Sequence, residues 1–126
     1  KQTVVSGHRA AVAKVCAQVP ARSQELSKIP HAMHSPLLAP ILPELRQVLE
    51  SCQLKRPTVA TSQVHFVSSI TGGEVSSELA EPGYWISHDE ARPILFMDGV
   101  QTLEKLGCDT FLEVGPHPVL TNLGRQ

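Results

Sequence analysis

The chain has 126 residues, 41% apolar and 18% charged, with 11 Lys and Arg against 12 Asp and Glu for a net charge of −1. That apolar share can build a core and excludes wholesale disorder, while no apolar run approaches the roughly 20 residues of a membrane span and the N-terminus lacks a signal-peptide stretch. Near-zero charge without a Lys/Arg cluster, and aromatics at 4%, argue against nucleic acid as the main partner.

Strand and helix signals alternate along the chain, which predicts an α/β protein. Thr3-Val4-Val5 is a short β-prone run. Ser6 offers an N-cap to a helix whose apolar positions are Ala11, Val12, Val15, Cys16 and Val19. Pro20 stops that helix, and residues 21–29 read as an exposed or edge strand. The strongest helical pattern follows. Ser35 can cap it, Pro36 suits its first position, and Leu37, Leu38, Ile41, Leu42, Leu45, Val48 and Leu49 recur at three- and four-residue steps. Pro40 and Pro43 lie inside, so a bend is expected at Pro43.

Lys55 to Gln63 reads as a polar loop, residues 64–68 as a strand closed by Thr71-Gly72-Gly73, and residues 74–82 as loop. Asp98 to Leu106 is a second helix, capped by Asp98 with Gln101 three residues on and ended by Gly107. Residues 110–114 read as a buried strand, followed by Gly115-Pro116-His117-Pro118 and a short helix. Cys16, Cys52 and Cys108 are odd in number and widely spaced, so the expectation is buried free thiols and a reducing, cytoplasmic compartment.

Six histidines are the most informative polar residues: His8, His31, His34, His65, His88 and His117. His31 and His34 stand three apart, but a third metal ligand would have to come from far away, from His65 or Cys52, and no C-x-x-C or H-E-x-x-H pattern supports a metal site. His34 directly precedes a capped helix, where a rigid element holds the backbone and the imidazole can face a cleft as a general base. A nucleophile is missing, because no G-x-S-x-G turn occurs in the chain.

Several segments carry a family resemblance. His31-Ala32-Met33-His34-Ser35-Pro36-Leu37 resembles the "HAFHSPLM" motif of acyltransferase domains in modular polyketide synthases. Val4-Val5-Ser6-Gly7 is similar to that family's "VVSG", and Val67-Ser68-Ser69-Ile70-Thr71-Gly72 to its "VSTVTG". Residues 82–88 and 96–100 resemble "YWVRH" and "FADGV", and Phe111 to Leu120 resembles the closing "FLEVGPHPVL" almost letter for letter. The segments keep the family's order across nearly the whole chain. Malonyl-CoA:acyl-carrier-protein transacylases are the wider relatives.

The resemblance implies the C-terminal part of an α/β-hydrolase-like acyltransferase domain with an inserted ferredoxin-like small subdomain. Residues 1–30 would belong to the small subdomain and residues 31–126 to the large one. It implies ping-pong transfer of an acyl group from CoA, through an acyl-serine, to the phosphopantetheine thiol of an acyl carrier protein. By motif position His34 is the catalytic base. His88, or Asp89 by counting back from Pro93, supplies the backbone carbonyl that orients it. His31, Ala32 and Met33 line the acyl pocket. His31 and Ala32 follow the malonyl pattern, with Met33 in place of phenylalanine, so malonyl is the first choice and a larger or mixed extender the second. No tightly bound cofactor or metal is implied. Expected partners are the serine-bearing N-terminal part of the domain, the carrier protein, and ketosynthase and linker domains, with no nucleic acid and no membrane. Without the serine the chain alone is expected to be inactive. A non-catalytic interaction or scaffold module derived from the same fold is the alternative.

Overall fold

The computed structural model describes residues 2–26, 31–56, 64–87 and 92–125. The chain divides into two units, and each is considered by itself: one of Val4–Leu54 with Glu81–Pro93, the other of Lys1–Thr3, Lys55–Ala80 and Ile94–Gln126.

In the first unit, helix α1 spans Arg9–Gln18. Val12 and Cys16, one turn apart, are its half-buried positions. Its N-cap is His8, which makes no side-chain cap bond. Ser6 lies outside the helix, so the expected Ser6 cap is replaced by backbone bonds from Ala11 and Val12 to the His8 carbonyl at 2.9 and 3.0 Å. Arg9 and Glu25 meet at 2.8 Å, both well exposed, and such a pair contributes little.

The long apolar pattern after Ser35 is two helices. A 3₁₀ helix spans Pro36–Ile41 with Pro40 inside, and α2 spans Leu42–Ser51 with Pro43 in its first turn. The expected bend at Pro43 is therefore a change of helix type one residue earlier. A proline in a first turn withholds a donor that has no intrahelical partner anyway, so restarting the helix there costs less than kinking one. Leu42, Leu45 and Leu49 form the half-buried stripe of α2, which packs on α3, Pro82–Ile86. Ile86 is 2% exposed, and Tyr84 and Trp85 meet edge to face at 5.1 Å. The sequence predicts loop through residue 82, whereas the helix already begins at Pro82.

The second unit is organised by a tight turn. Ser68 donates to the Gly73 carbonyl at 2.8 Å and Val75 to that of Phe66 at 3.0 Å, around a single antiparallel bridge between Val67 and Glu74. A short 3₁₀ helix, Ser77–Ala80, follows. Helix α4 spans Phe96–Lys105 with Leu95 as N-cap. Asp98 lies inside the first turn, so the expected Asp98–Gln101 capping box does not form. The Leu95 amide donates instead to the Ser69 carbonyl at 2.7 Å. The helix ends as expected at Gly107, φ 88°, with bonds from Gly107 to Glu104 and from Cys108 to Leu103 that make a Schellman close. Helix α5, Val119–Gly124, ends the described chain.

Among the described residues no extended run pairs into a strand beyond that one bridge. The expected strands at 3–5, 21–26, 64–68 and 110–114 are single extended segments there, and residues 27–29 of the edge strand lie outside the described residues. The 110–114 segment is exposed rather than buried, with Leu112 at 88% and Val114 at 91%. A β-prone sequence becomes a strand only when a neighbour takes its backbone groups, and among the described residues only the 64–68 segment finds one, through the single Val67–Glu74 bridge. The thiols are free, as expected, but not buried: Cys16 is half-buried, and Cys52 and Cys108 are exposed.

Candidate active site

The segment from His31 to Ser35 is shaped by two serine hydroxyls. Ser35, 3% exposed, donates from Oγ to the Ala32 carbonyl at 2.7 Å and accepts from the Leu37 amide at 3.3 Å. One buried hydroxyl thus closes the turn before the 3₁₀ helix and caps that helix. Ser6 donates from Oγ to the Met33 carbonyl. Two consecutive carbonyls are therefore held by side chains, one by Ser35 within the motif and one by Ser6 outside it.

His34 comes next, with φ 56°. A non-glycine residue in the left-handed region costs roughly 1–2 kcal/mol, and each net hydrogen bond returns about 1 kcal/mol. The conformation is thus comparable in cost to the two serine bonds that flank it. His34 itself is half-buried, between an exposed Met33 and the buried Ser35. Its backbone is set by the turn while the residue as a whole stays only partly covered. That is the mount a proton-transfer group needs, because a base must stay within about 3 Å of its nucleophile.

The other expected site residues are spread unevenly. Ala32 is half-buried, and His31 and Met33 are exposed, so the described residues bring the pocket segment together without enclosing a pocket around it. His88 and Asp89 lie outside the described residues. Helix α3 runs toward them and ends with Ser87 Oγ donating to the Tyr84 carbonyl at 2.6 Å. Among the described residues no three His, Cys, Asp or Glu side chains are gathered around a point that could hold a metal. His65 meets Glu74 at 2.7 Å.

Sequence reading missed the part Ser6 plays. A serine before a helix satisfies the rules of an N-cap, and its bond to a carbonyl 27 residues away leaves no local signal. Glu113 was missed in the same way. Its carboxylate accepts from the amides of Val119, Leu120 and Thr121 at 2.8–3.0 Å. The Thr121 amide, then that of Leu120, holds its carboxyl below the usual glutamate range. Glu113 thereby ties the segment before the Gly115–Pro118 loop to the first turn of α5.

Comparison with known proteins identifies the family of the chain. The chain is 34% identical over 98% of its length to polyketide synthase GfsB of Streptomyces halstedii, and covers 2% of that protein. It is 34% identical over 98% of its length to the spectinabilin polyketide synthase system protein NorB of Streptomyces orinoci, and covers 6% of it. It is 32% identical over 96% of its length to a phenolphthiocerol synthesis polyketide synthase type I of Mycobacterium tuberculosis, whose name carries a qualifier of inactivity, and covers 7% of it. The chain thus spans a small fraction of these relatives. Residues 1–126 match the acyl transferase domain family throughout, and with the histidine motif built as a serine-anchored turn, the chain belongs to that family.

Proposed function

We propose that this chain supplies the histidine-bearing part of a polyketide synthase acyltransferase, with the nucleophilic serine contributed by polypeptide outside these 126 residues. Residues 1–30 belong to its ferredoxin-like small subdomain and 31–126 to its α/β-hydrolase-like large one. The observation that carries the reading is the left-handed His34, directly following two side-chain-anchored carbonyls at the start of a capped helix.

In this reading the serine oxygen attacks the acyl-CoA thioester as His34 takes its proton. The C–S bond breaks, and the CoA thiolate leaves with the proton from the imidazolium. The phosphopantetheine thiol of the carrier protein then gives its proton to His34 and attacks the acyl-serine ester. The C–O bond breaks, the acyl group passes to sulfur, and the serine recovers its proton. His31, Ala32 and Met33 wall the acyl pocket, and malonyl is the favoured group. The backbone carbonyl of His88 or Asp89 orients the base. Carrier protein, ketosynthase and linker domains are the partners. The inactivity qualifier on one relative's name favours a second reading, a non-catalytic module of the same fold.

The test is acyl transfer from malonyl-CoA to carrier protein by the polypeptide that joins this chain to a serine-bearing part. His34→Ala and His34→Gly should each lower kcat by about 10²–10⁴-fold, the scale of general-base loss. The chain by itself should form no acyl adduct detectable by intact mass. Wild-type turnover by both His34 variants overturns the assignment of the base, and the absence of turnover in the unmutated protein favours the non-catalytic module.

A further inference from the structure

We infer that Ser6 is a positioning residue that sets both the acyl pocket wall and the base, an inference that rests on the reading of His34 and Met33 given above. Ser6 is not used by the helix it precedes, because α1 begins at Arg9 with His8 as its N-cap. Its hydroxyl donates instead to the Met33 carbonyl. That carbonyl belongs to the peptide joining Met33 to His34, and the φ of His34, 56°, is the torsion about the bond leaving this same peptide. Turning the plane rotates the imidazole on one side and carries the Met33 side chain on the other.

The neighbouring plane is fixed separately. The Ala32 carbonyl is held by Ser35, whose hydroxyl also accepts from Leu37 and so cannot be removed without uncapping a helix. Ser6 is exposed and caps no helix among the described residues. It is the position at which the orientation of the motif can be loosened while α1 and the 3₁₀ cap stay intact. A family member that varied this hydroxyl would change acyl preference and turnover together, without altering any residue of the histidine motif.

The experiment compares Ser6→Ala, Ser6→Val and Ser6→Thr with His34→Ala, in the polypeptide that joins this chain to a serine-bearing part. Transfer from malonyl-CoA and methylmalonyl-CoA to carrier protein is followed for each. Ser6→Ala and Ser6→Val should lower kcat by about 3–10-fold, the size of one net hydrogen bond. The KM for carrier protein should hold, and the malonyl to methylmalonyl kcat/KM ratio should move toward unity by a similar factor. Ser6→Thr keeps the hydroxyl and should retain wild-type values, which a merely structural effect of filling the site would not produce. Unchanged kcat and ratio in Ser6→Ala and Ser6→Val, with His34→Ala inactive, overturns the role of Ser6 and leaves the base in place. Loss in Ser6→Thr equal to that in Ser6→Val also overturns it. Activity in His34→Ala overturns the base reading whatever Ser6 does.

Discussion

Gly72→Ala tests the turn that carries α4. Gly72 is buried, with φ +70°. A methyl group added there would lie 2.6 Å from Asp98 Cβ, an atom fixed to the helix backbone rather than the end of a flexible chain. Alanine at positive φ costs roughly 1–2 kcal/mol, and overpacking of this kind costs about 1–3 kcal/mol. The Thr102 hydroxyl donates to the Gly72 carbonyl at 2.6 Å, and displacement of that carbonyl forfeits about 1 kcal/mol more. Neighbouring terms do not add cleanly, so the expected loss is about 3–4 kcal/mol, a factor on the order of 10² or more in local opening. Hydrogen exchange reads this directly at the amides of Ser68 and Val75, whose bonds close the turn. Gly73→Ala is the control, since its Cβ would meet only the Thr71 hydroxyl at 3.9 Å. Protection of Ser68 and Val75 that is unchanged in Gly72→Ala, or lost equally in both variants, would refute the argument.

Glu113→Gln should loosen α5 at neutral pH, because an amide oxygen accepts more weakly than a carboxylate. The native carboxyl sits below its ordinary range, so the stability it contributes is present above the usual glutamate value of about 4.3. That contribution is lost as pH falls through the lower folded value. Amide chemical shifts of Val119, Leu120 and Thr121 should titrate in acid in the native protein and stay flat in Glu113→Gln. His31→Tyr should shift the malonyl to methylmalonyl kcat/KM ratio by no more than about 1–3 kcal/mol while turnover persists. Abolished turnover in that variant, with His34→Ala merely shifting selectivity, would reverse the two assignments.

Helices were the legible part of the fold, because their signals are local. Ser35 and Pro36 mark a start in the sequence, and the structure begins a helix there. Gly107 marks a stop, and α4 ends on it. The errors came where two local signals competed. Asp98 satisfies the rule for a cap, but the chain enters α4 through the Leu95–Ser69 bond, so the helix begins before the aspartate. Ser6 likewise satisfies a cap rule and instead holds the Met33 carbonyl. The motif singles out His34 without signalling its left-handed backbone, in a turn held by the Ser6 and Ser35 hydroxyls.

The strand signals failed for a different reason, and it bears on how the site is completed. Period-two and β-branched patterns report a demand for neighbours, not their presence. Several residues that sequence reading assigns to the interior are exposed: Leu37, Ile41 and Val48 along the apolar stripe, and Leu112 and Val114 in the last β-prone run. Their pattern is written for more neighbours than these residues provide one another. A serine contributed from outside the chain would arrive with such neighbours. The step that buries the stripe after Ser35 would then be the step that encloses His34, so covering this surface and assembling the catalytic pair are one event in the proposed enzyme.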